Sequence, residues 1–327
     1  MKVCAYSVRK EDEDHFLRTA ADELGIEVSI TSLPPEPATV KKAEGSACIS
    51  ILGTPMTAEL IGRFHSIGVS MISTRSVGYD HIDLEAAKQL GLSVSHASYP
   101  PGSVADYTLM LILAGLRHFN TILRRSEIGD YTLPGLCGRE LSGLTVGVVG
   151  TGHIGAAVVQ RLTGFGCRIL AFDGKPSASV SKVASYVDFP KLLKESDVIS
   201  LHIPATGGNR HLIDRKAIEG MKDGVLLINT ARGSIVDTDA LIKNLESGKV
   251  AGACLDTLEG EGAVFYHDFR MKSAGLPELA ILKDMPNVIM TPHVAFYTDS
   301  AVEEMARSSL KSCLLESQGK ANPWKVV

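Results

Sequence analysis

Six short apolar runs recur between residues 145 and 291: TVGVVG, CRILAFD, DVISLHI, VLLINT, AGACLD and NVIMT. Each has the length of a strand, and helical stretches lie between them. That alternation predicts a parallel sheet with helices packed against it, an α/β architecture. The same rhythm is present from the start of the chain. KVCAYSV, IEVSIT, ACISIL, SMIST and LSVSHA read as strands. EDHFLRTAADEL, closed by Gly25, and then TAELIGRF and DLEAAKQL read as helices, completing a small α/β unit by about residue 97.

SYPPGS, residues 98–103, interrupts the pattern with two prolines and a glycine, which suits a linker or hinge. The following stretch, VADYTLMLILAGLRHF (104–119), is apolar nearly all round, so it is expected as a buried helix, either in the core or at a dimer contact. A second α/β unit begins at LTVGVVG and runs to residue 291, and SAVEEMARSSLKSCLLES forms a last helix. At 327 residues the chain exceeds one ordinary compact core, so two domains are expected.

Composition narrows the function classes. Hydrophobic residues at 45% and charged residues at 21% describe a globular chain. A formal charge of −4 leaves no basic footprint for nucleic acid. No apolar run approaches the roughly 18 residues of a membrane span, and the first residues lack a secretory apolar core. The six cysteines are scattered without C-x-x-C spacing, so neither a disulfide framework nor a metal site is expected. These features suit a cytoplasmic protein with reduced thiols.

VGVVGTGHIGAAVVQRL carries chemistry. Gly150, Gly152 and Gly155, with Thr151, His153 and Ile154 between them, follow a valine-rich strand and open a helix. An acid, Asp173, closes the next strand 173 − 150 = 23 residues on, near the spacing of about twenty expected of a dinucleotide site. Gly150 permits the tight turn, Gly152 admits a pyrophosphate close to the backbone, and Gly155 lets helix and strand pack. Free N–H groups and the positive end of the helix dipole face the phosphates. Asp173 can accept from an adenosine ribose and repel a 2′-phosphate, which favours NAD over NADP. Lys175 nearby softens that preference.

Three further residues follow strand ends of the same sheet. Arg232 comes after VLLINT and is placed to grip a carboxylate. AGACLD ends in Asp256, followed by Glu259 and Glu261; Glu259 reads as a solvated loop residue. His293 follows NVIMTP. Arginine, acid and histidine on one rim can reduce a 2-oxo acid. Arg232 holds the carboxylate, His293 donates a proton to the ketone oxygen as hydride arrives, and Glu261 orients the imidazole and stabilises its protonated form.

These residues lie in VGVVGTGHIG, LHIP, LINTARG, LDTLEGE and TPHVAFYT, and through them the chain resembles the D-isomer-specific 2-hydroxyacid dehydrogenases over essentially its whole length. HVAFYT and VRKEDE are similar to the D-lactate dehydrogenase branch. STRSVGYDHIDLEAAK and YPPGSVADYTLMLIL are especially similar to the D-lactate dehydrogenases of vancomycin-resistance clusters. That group lacks an acid at position 173, so Asp173 is a departure, and it points to NAD.

The resemblance implies Arg232, Glu261 and His293 as catalytic residues, 29 and 32 positions apart. It implies Val77 and Gly78 as carboxylate-binding backbone, and Tyr99 and Phe296 as lining of the substrate side. It puts His202, Ile203, Pro204, Thr230 and Ala231 on loops flanking NAD, and Asp256 near the nicotinamide ribose. It also implies two Rossmann-like domains: a discontinuous, flavodoxin-like catalytic domain of residues 1–99 and 299–327, and an inserted NAD-binding Rossmann domain of residues 100–298. SYPPGS and AFYTD would be the two hinge strands.

The expected activity is reduction of pyruvate, or a similar small 2-oxo acid, to the D-2-hydroxy acid by a homodimer. Two alternatives stay open: a D-2-hydroxyisocaproate-type enzyme acting on larger 2-oxo acids, and an NADH-sensing corepressor-like binding protein on the same fold.

Overall fold

The structure is a computed structural model that describes residues 1–327. The chain folds into two compact units, one made of Met1–Pro100 with Tyr297–Val327 and the other of Pro101–Phe296.

The first unit contains β1 (Lys2–Ala5), α1 (Asp14–Leu24), β2 (Glu27–Ile30), β3 (Cys48–Ile51), α2 (Ala58–Ser66), β4 (Met71–Thr74), α3 (Leu84–Gln89) and β5 (Ser93–Ser95). Its five strands are parallel in the order β2-β1-β3-β4-β5, the flavodoxin-like order. Helix starts are written locally: Leu60 N donates to Thr57 Oγ1, and Ala86 N to Asp83 Oδ1. α1 ends at Gly25, whose φ of +64° suits a left-handed cap. β3 and β4 are buried along their full length, with the polar Ser50, Ser73 and Thr74 among the buried residues.

The second unit contains α4 (Gly102–Leu116), α5 (Phe119–Glu127), β6 (Thr145–Val149), α6 (His153–Leu162), β7 (Arg168–Phe172), β8 (Ser185–Tyr186), α7 (Phe189–Glu195), β9 (Val198–Leu201), α8 (Arg215–Glu219), β10 (Val225–Asn229), α9 (Thr238–Glu246), β11 (Val250–Leu255), α10 (Pro277–Asp284) and β12 (Val288–Met290). Its seven parallel strands run β12-β11-β10-β9-β6-β7-β8. This is the doubly wound dinucleotide order with one further strand, and it reverses between β6 and β9, where such sheets bind ligands. The expected α/β fold of two parallel, Rossmann-like sheets is the observed one.

The chain then returns to the first unit as α11 (Asp299–Ser317). Small residues let this helix approach β3 and β4 closely: Ser309 Oγ lies 2.7 Å from Ser50 Oγ and 2.9 Å from Ser73 Oγ. The last residues cover the edge of β5 through Val326 N to Val94 O at 2.8 Å and Val94 N to Val327 O at 3.1 Å. No helix is long and apolar enough to cross a membrane.

The helix expected over 104–119 differs. α4 starts at Gly102 and stops at Leu116, and a second helix, α5, begins at Phe119. His118 between them has a φ of +52°, a left-handed turn that breaks the axis. Nor is α4 buried all round, because Met110 remains 46% exposed.

Candidate active site

The loop after β6 has the geometry its glycines predict. Gly150 has a φ of +91°, and a Cβ there would lie 2.6 Å from the carbonyl oxygen of His202 at the end of β9. A Cβ on Gly155 would sit 1.9 Å from the Gly150 oxygen, so only glycine lets α6 close on the strand. At Gly152 a Cβ would meet no protein atom within 4 Å. That glycine is not required by the packing of the protein on itself. It leaves an open approach to the N-terminus of α6, which begins with the exposed His153 and half-buried Ile154.

Asp173 is locked to this loop. Its Oδ2 accepts from Thr151 N at 2.6 Å and Thr151 Oγ1 at 3.1 Å, and its Oδ1 from Lys175 N at 2.7 Å. Partial burial works against the charged form. The two backbone N–H groups and the hydroxyl outweigh it and hold the carboxyl below its usual range. Tyr186 Oη, 2.7 Å from Thr151 Oγ1, also accepts from Ser177 N at 2.8 Å. No local signal marks Thr151 and Tyr186 as braces of the acid, because the bracing tyrosine comes from the two-residue strand β8.

On the other side of the reversal, His202 lies 2.8 Å from Ser200 Oγ through Nε2, while its buried Nδ1 has no partner. Burial pushes its pKa down to about 3, so the ring is neutral at working pH. Ile203 and Pro204 follow it. Thr230 is buried at the end of β10, its Oγ1 2.9 Å from Thr108 Oγ1. An open glycine approach, a braced acid and an orphaned buried imidazole nitrogen surround the point of strand reversal. This donor set fits a dinucleotide.

β10 and β11 carry the next two groups. Ala231 N donates to Asn229 Oδ1 at 3.0 Å, and Asn229 Nδ2 donates to Arg232 O at 2.9 Å, so Asn229 folds the turn that presents Arg232. Arg232 Nη1 donates to Ala231 O at 2.8 Å. Gly233 is pressed against the Leu258–Glu259 peptide, and a Cβ there would lie 2.0 Å from Leu258 C. The Arg232 turn is therefore keyed into the loop that bears Glu261.

Glu261 and His293 are brought into contact. His293 Nδ1 lies 2.6 Å from Glu261 Oε1, and Glu261 Oε2 accepts from Leu258 N at 2.5 Å. With Nδ1–H donated to the carboxylate, Nε2 is the nitrogen left to exchange a proton. His293 occupies the left-handed region at φ +53°, a strain of about 1–3 kcal/mol for a residue with a Cβ. Asp256 holds it there. The Asp256 carbonyl accepts from His293 N at 2.8 Å, and its fully buried carboxylate accepts from Thr291 Oγ1, Val294 N and Ala295 N at 2.5–3.0 Å. Tyr266 Oη closes the turn by donating to His293 O at 2.7 Å.

Phe296 packs edge-on to the imidazole, ring centroids 6.3 Å apart. Val77, Gly78 and Tyr99 lie in the first unit, Val77 and Gly78 on the turn after β4. Glu259 is not the solvated residue expected. His211 Nε2 at 2.9 Å and Arg210 Nη2 at 2.8 Å engage its two oxygens.

Known proteins give the same picture. Residues 109–295 match the model of the D-isomer specific 2-hydroxyacid dehydrogenase NAD binding domain. The chain belongs to the D-isomer-specific 2-hydroxyacid dehydrogenase family. It is 41% identical to a D-specific alpha-keto acid dehydrogenase of Enterococcus faecium over 95% of this chain and 96% of the relative. It is 36% identical to a D-lactate dehydrogenase of Lactobacillus delbrueckii subsp. bulgaricus over 98% and 97%. Among solved structures, a D-2-hydroxyisocaproate dehydrogenase superposes with a TM-score of 0.89 at 35% identity, covering 100% of this chain and 99% of that one. The dehydrogenase uses NAD, and the strand reversal flanked by Gly152, Asp173 and His202 is within the matched domain.

Proposed function

We propose that this dehydrogenase reduces pyruvate, or a similarly small 2-oxo acid, to the D-2-hydroxy acid. The observation that carries the reading is the 2.6 Å contact of His293 Nδ1 with Glu261 Oε1, on a loop keyed to the Arg232 turn. NADH, when bound, supplies the hydride. Gly150, Gly152, His153, Ile154 and Gly155 line its pyrophosphate, and Asp173 takes its ribose. His202, Ile203, Pro204, Thr230, Ala231 and Asp256 flank the rest. Arg232 grips the substrate carboxylate through paired N–H donors, a geometry a lysine could not reproduce. Val77 and Gly78 offer backbone amides to a carboxylate, and Tyr99 and Phe296 are substrate-binding residues.

Proton traffic falls to His293. In reduction its Nε2–H is given to the ketone oxygen as the alkoxide develops, and Glu261 keeps the ring oriented and stabilises the imidazolium before transfer. In the reverse direction neutral His293 takes the hydroxyl proton. A charged Asp173 beside the ribose disfavours the 2′-phosphate of NADPH.

Residues 1–99 with 299–327 form the catalytic domain and residues 100–298 the NAD-binding domain. The working form is a cytoplasmic homodimer that needs neither nucleic acid nor membrane. Six free cysteines support the compartment, and a net charge of −4 argues against a nucleic-acid partner. Phe119, Leu123, Ile128, Tyr131 and Leu133, between 48% and 82% exposed within fifteen residues, support a dimer face. A second reading, reduction of larger 2-oxo acids, is favoured by the likeness to the D-2-hydroxyisocaproate dehydrogenase. One apolar pocket separates acids differing by a methylene by only about 1–3 kcal/mol.

The test is NADH and NADPH oxidation across a panel of 2-oxo acids, with chiral analysis of the product. Pyruvate leading with NADH and a D product supports the proposal. A bulkier acid leading moves the assignment to the second reading, and an L product overturns both.

A further inference from the structure

β4 is followed by a residue that the interior of such a sheet has no packing reason to carry. Arg75 is completely buried, and so is its partner Glu13, although the two are 62 positions apart. Charges so far from water must be paired and fully hydrogen-bonded, and an apolar pair of equal volume would often stabilise a core as well. Here the guanidinium donors are spread over three segments. Nε donates to Glu13 Oε1 at 2.7 Å, Nη1 to Ser50 O at 2.9 Å and Ser50 Oγ at 3.0 Å, and Nη2 to Tyr6 O at 2.7 Å. Glu13 precedes α1 in the position of a helix cap, yet its side chain does not cap that helix. It is turned to Arg75 instead.

What this clamp fixes is the start of the next turn. Arg75 N donates to Ile51 O at 2.8 Å, and the chain then passes through Ser76, Val77 and Gly78. Ser76 Oγ donates to Gly78 O at 2.6 Å and lies 2.8 Å from Thr74 Oγ1, while Ser76 O accepts from Ala97 N at 2.9 Å. The inner half of the turn is thus tied down, and Val77 stands 39% exposed. Glu13 also reaches outward: its Oε2 accepts from Arg9 N at 3.3 Å, Arg9 Nε donates to Asp12, and Asp12 accepts from Tyr297 Oη. The Arg9 guanidinium lies 5.2 Å over the Tyr297 ring. Tyr297 is the residue at which the chain re-enters this unit.

We propose that Arg75, clamped by Glu13, is a positioning residue that sets the orientation of the Val77 and Gly78 amides and thereby the affinity for the substrate carboxylate. This rests on the reading of those amides as the carboxylate site. Arg75 touches neither substrate nor cofactor. It acts by denying the turn any freedom, because two N–H donors aimed at one anion lose their value when displaced by a fraction of an ångström. A lysine keeps the charge but offers a single ammonium in place of a planar fork, so it cannot hold β1, β3 and α1 together.

The experiment is steady-state kinetics with the preferred 2-oxo acid, NADH titration and thermal melting for four variants: Arg75→Lys, Glu13→Gln, the apolar double Arg75→Met with Glu13→Leu, and Val77→Pro. For Arg75→Lys the expected result is a KM for the 2-oxo acid raised by about 10- to 100-fold, with NADH affinity unchanged and kcat within about threefold. The apolar double should melt closer to the wild type than a variant with one charge left unpaired, yet keep the raised KM. A wild-type KM in both the double variant and Arg75→Lys overturns the proposal. So does a loss of activity that follows melting temperature in every variant, or a failure of all the Arg75 and Glu13 variants to fold, since the pair then acts through stability alone. Val77→Pro, which removes one amide donor, separates the two readings. A raised KM there beside an unchanged KM in Arg75→Lys rejects the positioning role only. An unchanged KM in both rejects the carboxylate site at this turn.

Discussion

His293 owes its position to bonds that do not involve its imidazole ring. The Asp256 carbonyl, the Tyr266 hydroxyl and three donors to the Asp256 carboxylate hold a left-handed turn that an isolated histidine would leave. Glu261 then fixes the ring within that turn. Glu261→Gln keeps the shape but removes the charge that stabilises the imidazolium, so kcat/KM for reduction should fall by about 10-fold or more, with NADH binding unchanged in a fluorescence titration. His202 makes a second prediction at this scale. Its folded pKa, near 3, lies below the unfolded value of about 6.5, so the unfolded chain binds the extra proton between these limits. The stability it supports is complete above about pH 6.5 and is lost as pH falls towards 3, at up to about 1.4 kcal/mol per pH unit. Urea midpoints between pH 7.5 and pH 5 should decline less steeply in His202→Asn than in the wild type.

At the scale of elements, the glycines of the β6–α6 turn divide into two kinds. Gly155 is required by the packing of helix on strand, whereas Gly152 faces no protein atom. Gly152→Ala should therefore melt within about 0.5 kcal/mol of the wild type while its NADH dissociation constant rises at least about 10-fold. Gly155→Ala should lose both stability and NADH binding. Differential scanning calorimetry beside fluorescence titration separates the two outcomes. Elements of this kind were legible in the sequence because glycine, a valine-rich strand and a terminal acid are local signals. The break at His118 was not, since nothing in AGLRHF marks a left-handed residue. β8 was hidden by its length of two residues. The ion pair of Glu13 and Arg75, and the hydrogen bond of His211 with Glu259, join residues 62 and 48 positions apart, which no local pattern encodes.

For the whole molecule, the parallel order of both sheets followed from the alternation of short strands with helices, whereas an exposed apolar stretch is visible only once side chains are placed. Ile128 and Leu133 are each 82% exposed on the stretch that follows α4. If the proposed homodimer forms through this stretch, replacing both with aspartate should give a monomer in sedimentation velocity with an undiminished melting temperature, and an unchanged association state would reject this stretch as the contact. His293, paired with Glu261, is the proposed proton carrier in NADH-dependent reduction of a 2-oxo acid, and His293→Ala removes it. NADH oxidation at saturating 2-oxo acid should fall by about 10²- to 10⁴-fold, with NADH affinity preserved. Turnover at the wild-type rate would remove His293 from the path of the proton.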